Sequence, residues 1–278
     1  MNQIDLHIHS TYSDGSYSVE DIIKEAQRKQ LTWYSICDHD TFAAYDNLST
    51  WPKGLLMGIE ISAHDDLHGK DVHILAYGMK ERVHIEKLCG YTLKNMEKIA
   101  KWQVKQLIEN GYDITWEEVK RKAEPSTSVY KQHIMQVLID HGYATEIYGE
   151  EYHQLFKNKG ICMHKKEYPK VEDVIEAIHQ DQGVAILAHP RLSRVEALIS
   201  HFIRLGVDGI ETWHSSQSED AIRYSHCFAL ANQLLEVGGS DCHGKYGKEP
   251  EIGNSNPLMW EGDVEACIMK FMNKQENL

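Results

Sequence analysis

No run of about 18 apolar residues occurs in the 278-residue sequence, so nothing in it reads as a membrane span. The N-terminus lacks the basic and apolar segments of a signal peptide and passes straight into a strand pattern. Cysteine is sparse: Cys37, Cys89, Cys162, Cys227, Cys242 and Cys267 are scattered, with no Cys-x-x-Cys pair. That usage argues against a disulfide framework and for a reducing, cytoplasmic setting. Basic residues are also short, 29 Lys and Arg against 42 Asp and Glu, a formal charge of -13. Such a chain has no broad attraction for nucleic acid or anionic lipid, and stable non-specific nucleic-acid binding is not expected. A small phosphorylated substrate stays open, because each bound divalent ion restores two positive charges where an anion would sit. Repeats and low-complexity tracts are absent too. What the sequence has in excess is histidine, 17 in all.

The first stretch, Asp5-Leu6-His7-Ile8-His9-Ser10-Thr11-Tyr12-Ser13-Asp14-Gly15, shows what the histidines are for. On a strand, His7 and His9 share one face and can reach the same ion while Leu6 and Ile8 pack behind them. Asp14-Gly15 reads as a tight turn that carries a carboxylate back to the strand end. Two imidazoles and a carboxylate suit zinc, iron or manganese. A lone His-x-His is more often a pair of satisfied surface histidines; four later clusters reverse those odds.

Strand and helix patterns alternate along the chain. Strands are expected over 3–8, 33–37, 55–59, 72–77, 184–188, 207–211 and 234–237, and helices over 18–29, 171–182, 194–205, 219–232 and 263–273. Between them, residues 80–168 hold helical patterns only, over 85–109, a short stretch from Thr115, 130–140 and 147–156. The expected organisation is an α/β barrel made of 1–79 and 170–278, interrupted by a helical insertion over 80–169. Seven strands, each followed by polar or acidic residues, fit a barrel of parallel strands with its site on the loops leaving them. An open sheet would instead spread those residues along an edge. Nine potential ligands stand at six strand ends: His7, His9, Asp14, His39, Glu60, His73, His189, Asp241 and His243. With shared carboxylates they suffice for two or three divalent ions.

These residues resemble the PHP (polymerase and histidinol phosphatase) family of metal-dependent phosphoesterases. The matching motifs are Asp5-Leu6-His7-Ile8-His9-Ser10 with Ser13-Asp14-Gly15, Asp38-His39-Asp40, Gly58-Ile59-Glu60-Ile61-Ser62, His73, Ala188-His189-Pro190 and Gly239-Ser240-Asp241-Cys242-His243-Gly244. Together they span residues 5–244 and look most like the stand-alone branch acting on small phosphate esters, nucleotides included. The resemblance implies a distorted (β/α)7 barrel with three metals. His7, His9, Glu60 and Asp241 would hold the first ion; Glu60, His73 and His189 the second; Asp14, His39 and His243 the third.

Two ions sharing a carboxylate would deprotonate a bridging water for attack on phosphorus, and the remaining ion would neutralise phosphoryl oxygens. Asp40 and His214 are candidates for proton transfer, Asp40 equally for a loop cap or a partner orienting His39. For substrate phosphate, Arg191 is the first candidate clamp, with Lys131 and His133 on the insertion closing over the mouth as a lid. The resemblance leads one to expect an arginine shortly before His133. Lys131 keeps its charge without the bidentate fork, and Arg191 stands where a glycine is more usual. Trp213 would stack on a base or, more simply, pack. The function expected is hydrolysis of phosphomonoesters or short phosphodiesters, nucleotide-like, with histidinol-phosphate phosphatase as the alternative. A metal-holding regulatory module without turnover is the alternative from another class. The sequence leaves the oligomeric state open.

Overall fold

The computed structural model describes residues 3–247 and 251–253; the helix expected over 263–273 lies outside them. Seven strands form one sheet in sequence order: β1 (Gln3–Ile8), β2 (Leu31–Ile36), β3 (Leu55–Asp65), β4 (Lys70–Tyr77), β5 (Val184–Leu187), β6 (Gly209–His214) and β7 (Leu235–Gly239). The sheet bends round until its edges meet. Ile8 bridges Cys242 in parallel, the His9 N–H donates to the Cys242 carbonyl at 3.0 Å, and the Asp241 N–H donates to the His7 carbonyl at 2.8 Å. Below these contacts the buried Asp5 carboxylate accepts from the N–H groups of Ser240 (2.8 Å) and Gly253 (2.7 Å) and ties the last strand's exit to the first strand.

The expected barrel of parallel strands needs one correction. β1–β2, β2–β3, β5–β6 and β6–β7 are parallel, but β4 runs antiparallel to both β3 and β5. Only residues 66–69 separate β3 from β4, too few for the crossover that parallel strands require, so the chain must turn back as a hairpin. β3 is also longer than the expected 55–59, and Glu60 sits within it rather than after it. The reversal explains how His73, in the first half of β4, still arrives at the mouth: it pairs with Ser62, two residues past Glu60.

Helices pack outside the sheet. In α1 (Val19–Arg28) the Ser18 hydroxyl caps the Asp21 N–H, Glu20 and Asp21 favour the positive helix end, and Val19, Ile22 and Ala26 are buried. A four-residue helix, α2 (Ala43–Asp46), precedes β3. Between β4 and β5 come α3 (Val83–Glu109), α4 (Trp116–Ala123), α5 (Lys131–Asp140), α6 (Glu150–Phe156) and α7 (Val171–Gln180). The helix expected over 194–205 is a 3-10 turn at Glu196–Leu198 followed by α8 (Ile199–Leu205), and α9 (Glu219–Asn232) leads to β7.

One apolar cluster joins the sheet to α1, α7 and α8, through Ile36, Ile74 and Leu187 against Ile22, Ile175 and Phe202. A second gathers Leu6, Cys37, Leu56, Leu75, Tyr77, Ile186 and Val237 from around the barrel, with Trp213 packed among them. A third belongs to α3–α6 and includes Val104, Leu107, Ile134, Leu138 and Phe156. α3, about 40 Å long at 1.5 Å per residue, spans two of them: Ile85 and Cys89 pack with the barrel, Val104 and Leu107 with the helices. Among the described residues no helix is long and apolar enough to cross a membrane.

Candidate metal centre

Alternation along β1 turns His7 and His9 into one chamber, both fully buried, with their Nε2 atoms 3.1 Å apart. The Asp38 carboxylate shapes the loop that follows. It accepts from the Ser10 N–H at 2.7 Å and from the Ser10 and Ser13 hydroxyls, which brings Asp14 back beneath the strand end. Asp14 Oδ1 then lies 3.2 Å from His243 Nε2, 3.7 Å from His9 Nδ1 and 3.9 Å from His39 Nε2.

Glu60 stands at the middle of the chamber with its two oxygens facing different partners. Oε1 meets His73 Nδ1 at 2.9 Å and His189 Nε2 at 2.8 Å. Oε2 meets His39 Nδ1 at 3.1 Å, His9 Nε2 at 3.3 Å and His7 Nε2 at 3.4 Å. Asp241 completes the ring, its Oδ1 3.1 Å from His9 Nε2 and 3.6 Å from His7 Nε2 and His243 Nδ1. All nine residues expected as ligands therefore stand in one chain of contacts under 4 Å. The atoms form three overlapping groups able to hold an ion: His7–His9–Glu60–Asp241, His9–Asp14–His39–His243 and His39–Glu60–His73. His189 joins through its contact with Glu60.

Carboxylates and imidazoles in the chamber shift one another strongly. Burial opposes charge on Glu60, Asp241 and Asp14, yet the imidazoles around them hold all three carboxyls below their ordinary range, Glu60 and Asp241 well below. Burial likewise opposes charge on His7 and His9, but Glu211, Glu60 and Asp241 lift His7 well above its usual value, and Asp241 and Glu60 lift His9 to about 10. His39 goes the other way: burial drives it down to about 3, against the pull of Glu60 and Asp14. The Nδ1 atoms of His9 and His39 are buried without a hydrogen-bond partner. Buried imidazole nitrogens left unpaired beside ionised carboxylates, in a mixed N/O donor set, fit first-row divalent ions.

Beneath the ring lies a carboxylate that sequence reasoning missed. Glu211, fully buried on β6, accepts from His7 Nδ1 at 2.9 Å and from the His189 N–H at 2.8 Å. It fixes the proton of His7 on Nδ1 and so presents Nε2 to the chamber, a carboxylate–histidine arrangement typical of metal sites. The one available signal is an acidic residue at the end of the strand expected over 207–211. His214 is fixed in a similar way. Its Nδ1 accepts from the Ser216 N–H at 3.1 Å, so the ring proton sits on Nε2, 3.3 Å from Asp241 Oδ2. Asp40 is turned elsewhere: it accepts the N–H (3.0 Å) and hydroxyl (2.9 Å) of Ser62, and burial raises its carboxyl to about 6.

A model of the PHP domain matches residues 5–205. The chain belongs to the PHP family. A phosphoribosyl 1,2-cyclic phosphate 1,2-diphosphodiesterase from Eggerthella lenta is 35% identical over 256 residues, covering 90% of this chain and 97% of the relative. A 5'-3' exoribonuclease from Haemophilus influenzae is 27% identical over 277 residues, covering 92% and 97%. A solved structure described as a metal-dependent phosphoesterase, from Bifidobacterium adolescentis, superposes with a TM-score of 0.84 at 25% identity, covering 97% of this chain and 96% of that one.

In this PHP chain a cavity of about 200 Å³ opens on the centre, with Asp14, His39 and His73 on one wall. The opposite wall comes from α5, α6 and the segment after them, and carries Lys131, Lys157, His164 and Lys166. Burial, with Lys166 and Lys157 nearby, brings Lys131 down to about 7. α5 also touches the centre directly, since Gln132 Nε2 donates to Asp14 Oδ2 at 2.7 Å and the Tyr130 hydroxyl donates to the His39 carbonyl at 3.1 Å. Of the three substrate clamps expected from sequence, the structure brings only Lys131 to the cavity. Arg191 is 54% exposed and spends its guanidinium on Glu196, at 2.7 and 2.9 Å. His133 is buried, its Nδ1 accepting the Tyr130 N–H at the start of α5, and burial lowers it to about 4. It caps a helix instead of reaching the mouth.

Proposed function

We propose that the chain is a metal-dependent hydrolase of phosphate esters acting on a small, ribose-containing or nucleotide-like phosphate. The carrying observation is Glu60, whose two oxygens are divided between two sets of imidazoles facing a cavity walled by lysines. We assign His7, His9, Glu60 and Asp241 to a first ion, Glu60, His73 and His189 to a second, and Asp14, His39 and His243 to a third, with Mn, Fe or Zn as occupants. When bound, the ions supply an activated water near neutral pH and neutralise charge on the phosphoryl group. The chain's own residues do the rest. Lys131, Lys157 and Lys166 receive the anionic oxygens, Gln132 holds Asp14, and Glu211 holds His7 toward the chamber. His214 directs its Nε2 proton at Asp241 Oδ2 and so orients that carboxylate. Asp40 belongs to the scaffold, as the clamp on Ser62.

Both curated relatives are named for cleavage of phosphodiesters in ribose-containing molecules, which favours such substrates over histidinol phosphate. A cavity of about 200 Å³ is small and suits a group the size of a sugar phosphate. We further propose that residues 80–169 form an inserted helical domain and that the protein works in the cytoplasm; the five cysteines among the described residues are unpaired.

The test is hydrolysis by metal-stripped protein reloaded with Mn²⁺, Fe²⁺ or Zn²⁺. The panel contains cyclic ribose phosphates, nucleoside 3',5'-bisphosphates, mononucleotides, short RNA and histidinol phosphate. Strong turnover of one ribose phosphate class is expected, and Glu60→Gln should cut it roughly a hundredfold or more while the circular dichroism is unchanged. Near-normal turnover in that variant sinks the assignment. Metal binding with silence across the panel points to a regulatory module.

A further inference from the structure

Five residues past Glu60, about 16 Å along a strand, a separate group of ligating side chains converges. Asp65 ends β3, His68 lies in the turn to β4, and His201 comes from α8. Asp65 Oδ2 is 2.6 Å from His68 Nδ1, Asp65 Oδ1 is 3.5 Å from His201 Nε2, and the two rings lie 4.6 Å apart. The Asp65 side chain is fully buried, and that of His201 is 10% exposed.

Turn chemistry explains part of this group. Asp65 Oδ1 accepts the Leu67 N–H at 3.0 Å, as an aspartate at a turn commonly does. It does not explain His201, whose Nε2 is buried without any hydrogen-bond partner although it faces a carboxylate oxygen. The charges around the group are otherwise committed. Lys170 pairs with Asp66 at 2.8 Å and His64 with Asp71 at 2.7 Å, so among the described residues Asp65 has only the two imidazoles as ionic partners. A buried carboxylate with two convergent imidazoles, one of them orphaned, is the donor set of a metal site with room left for water.

We propose that Asp65, His68 and His201 bind a first-row divalent ion of the Zn²⁺ type, at a site distinct from the main centre. Imidazole nitrogens suit zinc, and one ligand atom from each residue already lies within 4.8 Å of the others. The ion joins the tip of the β3–β4 hairpin to α8, the helix that follows the segment carrying His189. Its role is to hold that segment against the hairpin. The inference does not depend on the hydrolytic reading.

The test counts zinc in the full-length protein, stripped of metal and then dialysed against excess Zn²⁺. His68→Ala and His201→Gln should each bind one zinc fewer per chain than the wild type. His153→Ala, which removes an exposed histidine on α6, should bind as many as the wild type. With cadmium as the probe, the wild-type NMR spectrum should contain one resonance that His68→Ala lacks. His68 lies in a turn, so its variant carries the test even if His201→Gln fails to fold. Equal zinc in wild type and His68→Ala overturns the proposal, as does an equal loss in His153→Ala, which would mark surface binding.

Discussion

Replacing Glu211 by Gln separates positioning of the metal centre from ligation itself. The carboxylate receives two donors at once, His7 Nδ1 at 2.9 Å and the His189 N–H at 2.8 Å, and both groups are buried. Glutamine keeps the shape but has a single acceptor oxygen, so its amide N–H2 must face one of the two donors. The loss is one charge-assisted hydrogen bond plus a buried orphan, worth about 1.5–3 kcal/mol. A histidine released from its carboxylate also lets its ring turn and its basicity fall, at a cost of roughly ten- to a hundredfold in metal affinity. These two magnitudes agree, since about 1.4 kcal/mol is a factor of ten. The assay titrates metal-stripped Glu211→Gln with Zn²⁺ or Mn²⁺ against a chromophoric chelator and then measures turnover at saturating metal. Affinity should fall by that ten- to hundredfold, turnover should largely return at saturation, and the circular dichroism should not change. An affinity within twofold of the wild type would refute the argument that Glu211 holds His7 in place.

Lys131 titrates near pH 7 in the free protein, because burial and its lysine neighbours depress it, so it is charged below that pH and neutral above it. The KM for an anionic substrate should therefore rise as pH climbs through about 7. Lys131→Met should remove the inflection and raise KM at pH 6 about tenfold, whereas an unchanged KM–pH profile would take the residue out of the pocket. Arg191→Ala should leave kcat/KM within twofold, since an exposed pair with Glu196 contributes about 0–1 kcal/mol; a tenfold loss in a steady-state assay would restore it as a substrate clamp. A Cβ on Gly239 would press into the backbone nitrogen and Cβ of His7 and come within 2.8 Å of its Cα. Gly239→Ala should lower stability in urea by about 1–3 kcal/mol and weaken metal binding together, and a stable variant with normal metal content contradicts the close approach of β7 to β1.

Most of the candidate ligands are legible because they follow or sit on an apolar run that itself signals a strand; Asp14, in the turn after His9, is the exception. His7 and His9 advertise their shared face by spacing alone. Glu211 did not, because a single acidic residue inside a strand cannot be assigned to a face without knowing what lies opposite. The direction of β4 is hidden for a related reason: the strands expected over 55–59 and 72–77 leave twelve residues between them, enough for a crossover, whereas β3 runs on to Asp65 and only four remain. Lys157 and Lys166 escaped notice since they lie on an irregular segment after α6, where only the tertiary path decides what they face. Arg191 misled in the opposite sense. It stands only two residues past His189, yet its guanidinium reaches outward to Glu196.

The seam between the first and last strands has a consequence for synthesis. His7 and His9 leave the ribosome at the outset, while Asp241 and His243, which share their chamber, are made near the end of the barrel. A partly made chain therefore carries seven of the nine candidate ligands, and the groups assigned to the first and third ions stay incomplete until β7 docks against β1. Contacts so distant in sequence are among the slowest to form. Completion of those two groups then comes at the end of folding, and a chain broken off before residue 241 should emerge with fewer bound ions than the whole chain.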